Sequence, residues 1–142
     1  MNILGIASSM RKESTSTRAL KLTLDIVKTK YDANIQVLDL KQTILPFLYY
    51  QEHDKEAEIS IAEKMVKSAD AFILSTPDYH GSMAGSMKNF LDYFWSEFAG
   101  KLFGYICSSH EKGLTVMDEM RTAVRQCYGW SMPYGISING EK

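Results

Sequence analysis

The chain has few cysteines, no long apolar run and no excess of charge, and each shortage removes a class of protein. Cys107 and Cys127 are the two cysteines of 142 residues, and they form no C-x-x-C pair. They cannot supply the four thiolates of an iron–sulfur cluster. As free thiols they fit a reducing cytoplasm better than a disulfide-stapled domain. The three histidines, His53, His80 and His110, are scattered without a carboxylate or thiol constellation, so no metal site is expected. No apolar run approaches the ~20 residues of a membrane span. Met1-Asn2-Ile3-Leu4-Gly5-Ile6 lacks the basic start and long apolar stretch of a signal peptide. The expected location is therefore cytoplasmic, with no membrane partner. Sixteen basic residues stand against seventeen acidic ones, with no basic tract, which argues against a nucleic-acid partner. G-x-G-x-x-G and G-K-[ST] are both missing, so neither a dinucleotide-type nor a P-loop site is supported.

What is present is apolar material for one core, 45% of the residues, in a length typical of a single domain spanning 1–142. Asn2 to Ala7 reads as a first strand, Asn34 to Leu40 as a second, and Ala71-Phe72-Ile73-Leu74-Ser75 as a buried third. Leu102 to Cys107 and Tyr134 to Ile138 are the fourth and fifth. Between them run helical stripes: Leu20, Leu24, Val27 and Tyr31; Ile59, Ala62, Met65, Val66 and Ala69; Met83, Met87, Phe90, Leu91, Phe94, Trp95 and Phe98; Leu114, Met117, Met120 and Val124. Alternation at short loop distances implies an α/β protein with a doubly wound, five-stranded parallel sheet. A flavodoxin-like order 2-1-3-4-5 sets the loops after strands one and three side by side. No helix is expected after strand five within these residues: either self-association covers the face it would occupy, or the 142 residues are a fragment of a longer chain.

Those two loops carry the chemistry. Ser8 to Thr17 holds six Ser or Thr in ten residues at the start of a helix, where backbone N–H groups and the helix dipole bind phosphate; a polar turn with a capping hydroxyl is the plainer account. Thr76 to Ser82 follows strand three. Pro77 and Gly81 are expected to end that strand, and Ser82 to cap the next helix. Ile44-Leu45-Pro46-Phe47-Leu48-Tyr49-Tyr50 is apolar yet broken by proline, and reads either as a loop over the core or as a subunit contact.

Pro77-Asp78-Tyr79-His80-Gly81-Ser82-Met83-Ala84-Gly85-Ser86-Met87-Lys88-Asn89-Phe90-Leu91-Asp92 resembles the P-x-Y-x-G-S-x-x-G-x-[LM]-K-N-x-[LI]-D stretch of the NAD(P)H-dependent FMN reductases. Ser9, Arg11, Ser14, Ser16 and Thr17 resemble the FMN phosphate loop of the same family, S-x-R-x-x-S-x-[ST]-[ST]. The resemblance implies FMN as cofactor and NAD(P)H as hydride donor. It also implies flavin contacts from Pro77, Asp78, Tyr79, His80, Gly81 and Ser82, with backbone N–H groups at the pyrimidine edge. Because the flavin carries the reactivity, no catalytic acid or base is expected. His80 stands where relatives commonly have Asn, which favours positioning over proton transfer. At 108–113 the chain departs from the family, with Ser108, Ser109 and His110 where a glycine pair often approaches the flavin; Ser108 and Ser109 stay candidates for the ring or ribityl chain. The expected activity is reduction of FMN, with electrons passing to a small-molecule acceptor: free flavin, a quinone, an azo compound or a metal ion. Self-association as a dimer or tetramer is expected through Phe90, Phe94, Trp95 and Phe98 with Leu45, Phe47 and Tyr49. A non-enzymatic, flavodoxin-like electron carrier is the alternative, and a phosphate-recognising module without flavin a third reading.

Overall fold

An unbroken buried run from Ile3 to Ala7 makes β1 (Asn2–Ala7) a central strand, and the rest of the sheet assembles on both sides of it. The computed structural model describes residues 1–48 and 57–139; Tyr49, Tyr50, His53, the charged stretch up to Glu56 and Gly140 onward lie outside them. The further elements are α1 (Thr15–Tyr31), β2 (Asn34–Asp39), α2 (Ala57–Ser68), β3 (Ala71–Tyr79), β4 (Ser82–Met83) and α3 (Gly85–Asp92). After these come a 3-10 turn (Ser96–Phe98), β5 (Leu102–Ser109), α4 (Leu114–Gln126), β6 (Trp130–Ser131) and β7 (Ile136–Asn139). β2, β1, β3 and β5 lie parallel in that order, and β6 and β7 both pair with β5, so the flavodoxin-like order holds.

The strand at the far edge is longer and more broken than expected. Trp130-Ser131 pairs with Leu102-Phe103, and Ile136–Asn139 with Ile106–Ser109. Residues 132–135, with Pro133 among them, interrupt the edge, where a residue lacking an N–H is tolerated.

Two clusters hold the layers. On one face Phe72 stacks on Phe103 at 4.6 Å, and Phe98 meets both edge-on. Residues of α2, α3 and α4 close around them. On the other face α1 packs Leu20 and Leu24 against Ile3, Ala7 and Ala71. Gly5 makes that approach close, because a Cβ there would stand 2.6 Å from Leu24 Cδ1.

The third helix stops at Asp92, and the 3-10 turn then folds Phe94 and Phe98 inward. This corrects the expected subunit surface. Phe90, Phe94 and Phe98 are buried, Leu45 packs against the core, and Trp95 and Phe47 alone of the described members are exposed. Tyr31, expected in the stripe of α1, is exposed too, one turn beyond the last strand contact.

Candidate functional site

β1 ends at Ala7, and the chain is at once fastened to its neighbours. Ser8 N donates to Ser75 O at 3.1 Å, Ser8 Oγ reaches the same carbonyl, and Ser86 Oγ of α3 donates to Ser8 O at 2.6 Å. Ser75 Oγ donates to Ser16 O at 2.8 Å. The loop after strand one is thereby bonded to both β3 and α3. Ser14 caps α1 by accepting from Thr17 N at 3.2 Å, and its hydroxyl also bonds Ser16 Oγ. Helix α1 starts at Thr15, so Ser16 and Thr17 belong to its first turn rather than to the loop.

The N–H groups from Lys12 to Ser16 have no acceptor among the described residues. Consecutive unpaired donors at the positive end of a helix are the physical requirement for holding a phosphate. Arg11, Lys12, Arg18, Lys21 and Lys41 surround the same cleft, with Glu13 and Asp39 as the acids on that side. The residues present therefore fit a phosphorylated ligand.

β3 does not stop at Pro77 but runs through it to Tyr79. Ser75 turns its carbonyl to the β1 side. Two residues on, Pro77 faces the same side, where β1 has ended and no ladder bond is lost. Asp78 and Tyr79 pair antiparallel with Met83 and Ser82. His80 (φ 58°) and Gly81 (φ 79°) form the two-residue connection, both left-handed, as such hairpin turns demand. Asp78 Oδ1 accepts from Gly81 N at 2.8 Å, and its Oδ2 accepts from Ser109 Oγ at 2.7 Å. Ser82 is thus a strand residue and not a helix cap. Its hydroxyl donates to Glu119 Oε2 at 2.9 Å, while Ala84 stands at the N-cap of α3 with no side-chain bond.

A cleft of about 1190 Å³ joins the two loops. Ser9, Arg11, Ser14, Ser16, Thr17, Pro77, Asp78, Tyr79, Ser108 and Ser109 all line it. His80 and Gly81 face a second hollow of about 760 Å³ across the hairpin, and Ser82 lines neither. Ser108 and Ser109 end β5, beside Pro77 in register, rather than opening a loop. The Ser109 hydroxyl is engaged by Asp78 and by Glu111 N, and Asp78 by the hairpin, so both shape the site from within the protein. Cys107 lies buried next to Thr76. Burial first, and the Asp78 carboxylate second, push its thiol up to about 11.

Sequence reasoning missed several supports. Asn89 accepts from Leu48 N and donates to Leu45 O and Pro46 O, and Tyr93 Oη also donates to Pro46 O, which pins the awkward loop. Lys41, Arg18, Lys21 and His110 border the cleft from positions that no local pattern distinguishes. Lys88 and Asp92 form an exposed i,i+4 pair instead.

An anion cradle and a backbone hairpin at the switch point of a parallel sheet define a mononucleotide-binding α/β protein of the flavodoxin-like class. The model of the NADPH-dependent FMN reductases matches residues 1–141, and the chain belongs to that family of flavin-dependent oxidoreductases. It is 32% identical over 145 aligned positions to an FMN-dependent NADPH-azoreductase of Staphylococcus aureus (strain USA300), covering 94% of this chain and 74% of that one. With an NADPH azoreductase of Bacillus sp. (strain OY1-2) it shares 28% identity over 109 residues, 74% of this chain and 61% of the relative. The chain thus spans less than two thirds of that relative's length. Among solved structures, an NADH:FMN oxidoreductase (EMOB) in its apo form superposes with a TM-score of 0.80 at 21% identity, over 96% of this chain and 74% of that one. The flavoenzyme FerB of Paracoccus denitrificans also gives 0.80, at 17% identity over 94% and 77%. At these identities the structural likeness shows the fold.

Proposed function

We propose that the protein is an NAD(P)H-dependent FMN oxidoreductase that delivers electrons to a small-molecule acceptor. Azo compounds and free flavins are the first candidates, followed by quinones and metal ions. Bound FMN supplies acceptance of a hydride from NAD(P)H and its onward release as electrons. The chain's part is to hold and orient. Lys12 to Ser16 offer N–H groups to the phosphate, with Arg11 and the cap hydroxyls beside them. Ser9, Ser14, Ser16 and Thr17 order that loop. The hairpin at Asp78 to Ser82 offers the ring's pyrimidine edge its fixed shape and the His80 N–H, the Gly81 N–H being held by Asp78; Tyr79 lies against the ring, and Pro77 and Ser108 floor the cleft. The carrying observation is that the unpaired N–H groups of the first loop and the Asp78-Tyr79 arm of the hairpin line one cleft.

Self-association belongs to the same proposal. Phe47 and Ile44 stay exposed on a loop that Asn89 and Tyr93 hold rigid, and Trp130, Tyr134 and Ile136 are exposed along the broken edge. These surfaces suit a homodimer or a tetramer. Among the described residues no helix is long and apolar enough to cross a membrane, and both cysteines are free, which fits a cytoplasmic location.

The deciding experiment titrates purified protein with FMN and follows steady-state NADPH oxidation with an azo dye or free flavin as acceptor. FMN binding with turnover supports the reading. Tight FMN binding without NAD(P)H oxidation would make the protein an electron carrier, and no FMN binding at all would end the flavin assignment.

A further inference from the structure

The hairpin of β3 and β4 has two residue pairs, too few to hold a shape alone, since even longer isolated hairpins are marginal in water. What holds it is a pair of carboxylates, one on each arm. Asp78 grips from the β3 arm, accepting from Gly81 N and from Ser109 Oγ. Glu119 grips the β4 arm from another helix, α4: its Oε2 accepts from Ser82 Oγ at 2.9 Å and from Met83 N at 3.2 Å. Thr76 Oγ1 then accepts from Ala84 N at 3.0 Å and fixes the exit into α3. Glu119 lines neither hollow and lies outside every motif of the sequence. Charge-assisted bonds to an N–H and a hydroxyl are among the stronger ones available to a surface carboxylate.

We propose that Glu119 is a positioning residue for the flavin ring: by holding Ser82 and Met83 it sets the angle at which Tyr79, at the base of the hairpin turn, meets the cleft. The inference rests on the FMN reading above. It implies that α4, remote in sequence from both loops, takes part in flavin recognition. It also divides the ligand between two independent supports, α1 for the phosphate and α4 through the hairpin for the ring.

The test compares FMN with riboflavin, which has the ring and no phosphate, on the full chain and two variants. Glu119→Ala is expected to weaken both flavins by the same factor, about tenfold. It should also speed amide hydrogen exchange at Gly81 and Met83, while leaving exchange in α1 as it was. Glu119→Gln keeps a carbonyl acceptor and should recover both affinities to within about threefold. A general loosening of the protein would also weaken both flavins, but it would speed exchange in α1 along with the hairpin and would not be rescued by glutamine; that result overturns the proposal. So does unchanged affinity for both flavins in Glu119→Ala. Should Glu119→Ala fail to fold, Ser82→Ala removes one of the two bonds and must show the same equal loss, about threefold. A parent chain that binds no FMN sinks the flavin reading and this inference together. A parent that binds FMN, with indifferent variants, sinks this inference alone.

Discussion

The two loops that make the cleft are opposites in how their polar groups are satisfied. The loop after β1 leaves a run of N–H groups without an acceptor among the described residues at a helix end, the arrangement that the proposed FMN phosphate would complete. The hairpin after β3 is complete in itself. Its turn, its arms and its flanking serine are bonded to Asp78 and Glu119, and no described buried side-chain polar atom lacks a partner. In the proposed function one region would hold the ligand by unmet demand, the other by shape. That contrast predicts different penalties for damage on the two sides.

The largest effect is expected at the phosphate loop. Replacing Ser9, Ser14 and Ser16 together by Ala should weaken FMN at least a hundredfold, since bonds to charged groups are worth about 1.5–3 kcal/mol each. Riboflavin affinity should change little. Comparable losses for both ligands in equilibrium titrations would erase the contrast. Loss of the Ser14 cap should separately lower stability by about 1 kcal/mol.

The hairpin should answer first in stability. Asp78→Asn keeps the shape but turns two charge-assisted bonds into neutral ones, costing about 1–3 kcal/mol in urea unfolding. The same change removes the second of the two causes that raise the Cys107 thiol, so its titration should fall below about 11 while burial keeps it above the ordinary value of 9.0. The sign follows from a folded pKa above the unfolded one: the neutral thiol stabilises the fold below about pH 9, and that contribution fades as pH rises toward about 11. Alkylation rates against pH, in parent and variant, measure both points. A Cys107 that titrates identically in the two proteins would remove Asp78 from its surroundings.

The smallest effect belongs to His80. Asn adopts left-handed backbone at least as readily, so His80→Asn should leave the hairpin intact and turnover within about tenfold. A thousandfold loss of turnover with FMN still bound would show that the imidazole transfers a proton.

The sheet order and the α1 side of the core were legible, because buried strands such as Ala71–Leu74 and stripes such as Leu20 with Leu24 announce themselves locally. The hydroxyl-rich loop after β1 was legible as a local cluster at a helix start, whereas the cations of its cleft, Arg18, Lys21 and Lys41, lie outside that pattern. The hairpin was not. Ser82 carries every local mark of a helix cap, and only its pairing with Tyr79 and the bond to the distant Glu119 make a strand of it. Pro77 misled in the same way, since the harm a proline does depends on whether a neighbouring strand has already ended. The inward turn of Phe94 and Phe98 was hidden because an apolar residue past a helix end has the same pattern whether it faces solvent or core.

The interruption in the far edge has a bearing on how the protein behaves in a crowded solution. A continuous edge strand is a template on which another chain can lay a strand of its own. Here β6 offers two residues, the chain steps away through Pro133, and β7 resumes with four. Even with Trp130, Tyr134 and Ile136 exposed, a neighbour meets side chains before it meets an unbroken row of backbone donors and acceptors. Contacts along this edge are therefore steered toward discrete surfaces and away from the open-ended stacking that builds fibres.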